Sequence, residues 1–190
     1  GSLVDIQFIS DLIEQLKREY NLDSTRIYAN GLSNGGGMSA WLGCKLSDQI
    51  AAVGSVSGAY LFLPEECNFS HPVPLIAFHG TADEIVPYKG GTSSMIGMSL
   101  PVVASWIGSW ANRIGCNPTI SELPAMGEVG GFRYQGCDAN AEVILYTIEG
   151  GGHSWPGGVP LPEWIVGPTT RQIDATELMW QFFSQYSLSE

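Results

Sequence analysis

The chain has 190 residues, 44% of them hydrophobic and 14% charged, a balance that suits one domain with a sizeable core and argues against disorder. Nineteen acidic against eight basic residues leave a formal net charge of −11, so phosphates would be repelled and nucleic acid is not an expected partner. No apolar run approaches the ~20 residues of a membrane-spanning helix, so no membrane partner is expected.

Gly1-Ser2 reads as a cloning scar. From Leu3 to Tyr20, the apolar positions Ile6, Ile9, Ile13, Leu16 and Tyr20 recur at helical spacing, with Asp11, Glu14, Lys17 and Arg18 on the other side. Asn21 to Ser24 is a turn, and Arg26 to Asn30 a short strand. That strand enters Gly31-Leu32-Ser33-Asn34-Gly35 and then a helical segment from Met38 to Leu46. A serine flanked by glycines between strand and helix has the layout of a nucleophile elbow. Ser33 must adopt a strained backbone there, and Gly31 and Gly35 relieve crowding on either side of it. The helix start aims free N–H groups at the cleft where an oxyanion would form.

Ala51 to Ser57 reads as a second buried strand and Val73 to Phe78 as a third, leaving through the turn-rich stretch from His79 to Tyr88. Lys89 to Met98 is a loop. Ser99 and Pro101 then open a helix running to Ile114 with Val103, Trp106, Trp110 and Ile114 on one face. Gly115 to Gln135 is irregular, with an edge hairpin around Phe132 to Tyr134. Glu142 to Ile148 is the strongest strand and ends in Gly150-Gly151-Gly152-His153. The last helix starts at a capping box of Asp174 and Glu177, with Ile173 stapled onto Leu178. Its apolar side is Leu178, Met179, Phe182, Phe183 and Tyr186.

Alternating apolar strands and helices predict an α/β protein: a mostly parallel sheet in a three-layer sandwich, forming a single domain over residues 1–190. Sites in such sheets lie at the carboxyl ends of strands. Ser33, Asp83 and His153 each follow an apolar strand, in the chain order of α/β-hydrolases. A serine hydroxyl needs an imidazole to take its proton, and the imidazole needs a carboxylate to hold its tautomer. Glu84 and Asp138 are rivals for the acid. Of the other histidines, His71 sits in a loop, and His79 reads as structural because it lies too near Asp83 in sequence to be its distant partner.

The four cysteines show no C-x-x-C spacing, so a zinc site is not expected. Sequence order favours Cys44–Cys67 and Cys116–Cys137, each worth roughly 3 kcal/mol in the chain-entropy model, with four buried thiols as the alternative. Disulfides imply an oxidising, extracellular setting.

The segments G-L-S-N-G-G-G-M, F-H-G-T-A-D-E-I-V-P-Y and E-G-G-G-H-S-W-P-G-G closely resemble signature segments of the polyhydroxybutyrate-depolymerase-like esterases. These are grouped with carbohydrate esterase family 1, which includes feruloyl and acetylxylan esterases. The likeness runs from about Leu3 to Tyr186 and includes N-R-I-G-C at Cys116 and Y-Q-G-C at Cys137. It implies an α/β-hydrolase fold, Ser33 as nucleophile, Asp83 as acid, His153 as base and the Asn34 amide as one oxyanion donor, with no metal and no cofactor. The implied activity is a secreted serine carboxylic-ester hydrolase acting on short-chain, acetyl or hydroxycinnamoyl esters of plant polysaccharide. Trp155 and Tyr88 are candidate acyl-pocket residues, with plain packing as the alternative. A polyhydroxyalkanoate depolymerase, a serine peptidase on the same fold and a non-catalytic binding fragment are the rival readings.

One departure stands out against that family. Its members carry strands ahead of the helix near Leu3, including a loop with the second oxyanion donor, and no such segment is present. The chain is therefore expected to be an N-terminally truncated piece of a longer protein, with a naturally lost front half as the alternative. An upstream segment or a second chain would complete the sheet beside Ile27 to Asn30.

Overall fold

The computed structural model describes residues 3–93 and 95–188; Gly1-Ser2, read above as a scar, and Ser94 of the Lys89 to Met98 loop lie outside them. In chain order the elements are α1 (Leu3–Glu19), β1 (Tyr28–Leu32), α2 (Asn34–Lys45), β2 (Ala52–Val56), β3 (Leu75–Gly80), β4 (Gly91–Thr92) and β5 (Ser99–Leu100). There follow α3 (Val103–Arg113), β6 (Ile120–Glu122), β7 (Val129–Tyr134), β8 (Val143–Ile148), α4 (Glu163–Val166) and α5 (Ala175–Phe183). β4, inside the expected Lys89 to Met98 loop, pairs with β5, which takes up the Ser99 expected to open the helix, and α3 itself begins at Val103.

The main sheet has six strands in the order β1-β2-β3-β8-β7-β6. β1, β2, β3 and β8 are parallel, while β7 and β6 run antiparallel to the strand beside them. β2 and β3 are buried along their whole length, as expected of parallel strands covered on both faces. One face packs against α1, α2 and α3 through Ile13, Leu42, Trp106 and Trp110. The other packs against α5 through Met179, Phe182 and Phe183. The α/β-hydrolase-type three-layer arrangement expected from the sequence is the one observed.

The register of the parallel strands sets the working end of the sheet. Leu32 pairs with Val56, Val56 with Phe78, Phe78 with Tyr146 and Gly80 with Ile148. The loops after Leu32, Gly80 and Ile148 therefore leave along one common edge, and these loops carry Ser33, Asp83 and His153.

Two covalent ties brace the helical layer: Cys44–Cys67 joins the end of α2 to the loop between β2 and β3, and Cys116–Cys137 joins the turn after α3 to the loop after β7. At the start of α5, the Asp174 carboxylate accepts from the amides of Thr176 and Glu177. This holds two N–H groups that the helix itself leaves unpaired.

Candidate active site

Ser33 stands between β1 and α2 with φ 61° and ψ −120°, a conformation an L-residue adopts only under constraint. Its amide donates to Val56 O at 2.9 Å, and its carbonyl accepts from the amides of Gly37 and Ala59. The turn is thus tied to both α2 and the exit of β2. A Cβ on Gly31 would lie 2.5 Å from the Gly35 carbonyl carbon, whereas a Cβ on Gly35 would meet nothing within 4 Å. The symmetric expectation from sequence is corrected here: the crowding falls on the side chain of residue 31 alone. Asn34 is the first residue of α2, so its amide has no partner within the helix. It lines a cavity of about 810 Å³ together with Met38, Trp41, Leu61, Phe62 and Met98.

The loops carrying Asp83 and His153 are stitched together because β3 and β8 are neighbours. The Thr81 amide donates to Ile148 O, the Ala82 amide to Gly151 O, and the Gly150 amide to Thr81 Oγ1. Within this frame His153 Nδ1 lies 2.8 Å from Asp83 Oδ2. A carboxylate oxygen can only accept, so Nδ1 carries the hydrogen; in the neutral ring Nε2 is the nitrogen left to take a proton. The other carboxylate oxygen, Oδ1, accepts from the amides of Ile85 at 2.9 Å and Val86 at 2.7 Å. Asp83 is 4% and His153 6% exposed.

Burial pushes the Asp83 carboxyl up, but the hydrogen bond and attraction from His153 and the hydrogen bond from the Val86 amide outweigh it and hold the group below the usual carboxylate range. The carboxylate is therefore ionised where the imidazole needs it. The His153 loop is anchored in turn through the Gly152 amide to Pro168 O and the His153 amide to Val166 O.

Among the described residues, no hydrogen bond joins Ser33 to His153. Glu84 and Asp138 are exposed. Asp138 sits beside Gly115 at the far end of α3, and among the described residues neither rival bonds His153. His71 is half-buried in its own loop with Nδ1 on Pro72 O. Tyr88 packs its ring 5.9 Å from that of His79. Trp155 donates its indole N–H to Thr176 Oγ1 at 3.0 Å and packs against the α5 side of the sheet, the arrangement of a packing residue. Among the described residues, no group of three or more His, Cys, Asp or Glu is disposed to hold a metal ion.

Sequence reasoning missed the contact that His79 makes. Its Nε2 is 2.8 Å from Val86 O and 3.5 Å from Asp83 Oδ2. The signal was present in the four-residue spacing from His79 to Asp83 across a tight turn.

Residues 4–96 match the Phospholipase/Carboxylesterase family. Feruloyl esterase B of Piromyces equi is 31% identical over 97% of this chain and 32% of its own length. Feruloyl esterase C of Emericella nidulans is 29% identical over 94% of this chain and 57% of its own. The structure of acetyl xylan esterase from Aspergillus awamori superposes with a TM-score of 0.59 at 14% identity, over 94% of this chain and 66% of that one. The chain thus spans about a third to just over half of the length of these two curated relatives. It has the α/β-hydrolase fold and is similar in sequence to feruloyl esterases.

Proposed function

We propose that the chain carries the catalytic machinery of a secreted serine carboxylic-ester hydrolase, with Ser33 as nucleophile, His153 as base and Asp83 as acid. The observation that carries this reading is the buried Asp83–His153 hydrogen bond, set at the same end of the sheet as a strained serine turn. In this reaction Ser33 Oγ attacks the ester carbonyl while His153 Nε2 takes its proton. The Asn34 amide donates to the oxyanion, and the alcohol leaves with the proton from His153. Water, activated by the same imidazole, then releases the acid from the acyl-enzyme. Acetyl or hydroxycinnamoyl esters of plant polysaccharide are the proposed substrates, supported by the names of the relatives. Two disulfides support a secreted protein.

The same proposal extends to the sheet. No described strand pairs with the outer edge of β1, and β1 is only half-buried where β2 and β3 are fully buried. On α1, Leu3, Val4, Phe8 and Leu12 are exposed. An upstream segment bearing a strand would cover both and bring the second oxyanion donor; the greater length of the relatives supports it.

The test is hydrolysis of p-nitrophenyl acetate, methyl ferulate, acetylated xylan, a hydroxybutyrate polyester and a peptide anilide by the chain and its Ser33→Ala variant. Ester turnover lost with Ser33 is expected. Peptide cleavage alone, or ester turnover that survives Ser33→Ala, overturns the reading.

A further inference from the structure

His79 lies at the end of β3, 1% exposed, and no step described above uses it. Its Nε2 approaches Val86 O at 2.8 Å. A carbonyl only accepts, so Nε2 carries hydrogen. Burial holds the imidazole below its ordinary pKa, so the ring is neutral and Nδ1 bare. The Val86 peptide is therefore gripped at both ends: its C=O accepts from His79, and its N–H donates to Asp83 Oδ1 at 2.7 Å. Nε2 of His79 also lies 3.5 Å from Asp83 Oδ2, the oxygen that accepts from His153, a close approach rather than a second hydrogen bond. The groups around His79 are Asp83 on its own turn, His153 from the loop after β8, and the ring of Tyr88.

We propose that His79 is a positioning residue for the acid. By holding the Ile85–Val86 turn it fixes the rotation of the Asp83 carboxylate, which in turn holds the tautomer and tilt of His153. The inference rests on the triad reading. Oδ1 lies off the Cβ–Cγ axis, so the amides of Ile85 and Val86 that hold it set the rotation that presents Oδ2 to His153, and His79 fixes the Val86 peptide on which that rotation depends.

The experiment compares His79→Leu, which removes the donor at similar bulk, with His79→Gln, which keeps an N–H donor, in the whole chain. Turnover is normalised to the serine sites titrated by a fluorophosphonate, so that only folded molecules count. His79→Leu is expected to lower kcat by ~10- to 100-fold at nearly constant KM, and His79→Gln to recover most of it. Combined with Asp83→Asn, His79→Leu should cost no further kcat, because the residue acts through that carboxylate. Full kcat in folded His79→Leu, or an undiminished extra loss in the Asp83→Asn background, overturns the proposal. If His79→Leu does not fold, His79→Asn, whose amide is too short to reach Val86 O, takes its place.

A second readout needs no turnover: the low-field proton resonance of the His153 Nδ1–H bonded to Asp83. It should persist in His79→Gln and shift or broaden in His79→Leu. A wild-type chain that hydrolyses no ester, yet shows that response, sinks the esterase reading and leaves the positioning role standing. An active wild type whose resonance and kcat ignore His79→Leu sinks the positioning role alone.

Discussion

Asp83 uses both carboxylate oxygens: Oδ1 holds the turn by accepting two amides and Oδ2 holds the imidazole. Asp83→Asn should therefore lose more than a charge, since its NH₂ must face either two amide donors or the His153 N–H. Ser33→Ala, His153→Ala and Asp83→Asn are each expected to cut kcat by a factor on the order of 10³ or more, with combined variants no worse than the worst single one. Steady-state kinetics on p-nitrophenyl acetate would show it, and near-wild-type turnover in Asp83→Asn would remove Asp83 from the acid role.

Stability against pH is a second residue-scale consequence. Burial depresses the His79 imidazole, and His71 shifts the same way for the same reason. A histidine depressed in the folded state takes its proton first in the unfolded chain. Stability then falls as pH drops below the ~6.5 of an unfolded histidine, by up to about 1.4 kcal/mol per pH unit for fully buried His79 and by less for half-exposed His71, whose charge water screens. Asp83 is depressed too, but its contribution stays complete above the ~3.9 of an unfolded aspartate and is lost only as pH falls below it. Melting temperature should therefore decline between pH 7.5 and pH 5, and the decline should be shallower in His79→Gln. A flat profile in the wild-type chain would contradict neutral burial of these imidazoles.

At the scale of elements, the elbow depends on one close approach. A methyl on Gly31 would run into the backbone of Gly35, and that backbone begins α2 and has no room to retreat. Gly31→Ala should displace Ser33 and abolish turnover. Gly35→Ala places its methyl in open space and should leave both turnover and melting temperature close to wild type. Equal damage from the two would show that the turn is crowded symmetrically after all. The disulfides act on elements in another way, by limiting the unfolded chain. They span 23 and 21 residues, so replacing either pair by alanine should cost ~3 kcal/mol in the chain-entropy model, measured by urea denaturation. Free-thiol labelling of all four cysteines in the native protein would refute the bridges and, with them, the support for secretion.

For the whole molecule, the sheet is covered on both faces, yet no described strand pairs with the outer edge of β1, next to Ser33. The row of unpaired peptide groups on such a strand invites another strand. The proposed upstream segment should raise melting temperature when restored. By adding the second oxyanion donor it should also raise kcat, a contribution typically worth about 10² to 10³. Sedimentation of the 190-residue chain would expose the alternative, in which a second copy covers the edge. A chain that is monomeric, stable and as active as the extended form would overturn the proposed completion of the sheet.

Much of this architecture is local and was legible in the residues. Runs such as A-A-V-G-S-V-S and E-V-I-L-Y-T-I can only be buried strands, and glycine at 31 beside serine at 33 marks a turn whatever surrounds it. Asp174 placed ahead of an amphipathic run settles where α5 starts. Contacts between segments far apart in the chain were decided by the tertiary structure. Asp83 and His153 are 70 residues apart and meet because β3 and β8 are neighbours, a pairing no local pattern encodes. Packing likewise sends Trp155 to Thr176 and leaves the Cβ direction of Gly35 open, whereas the contacts of His79 with Val86 and Asp83 close within its own turn. The sequence by itself determined which segments are strand, helix and turn, because backbone sterics and hydrophobic period act within a few residues. Which oxygen of Asp83 meets which nitrogen, and which edge of the sheet stays open, depended on packing, because those relations exist only once distant segments share a core.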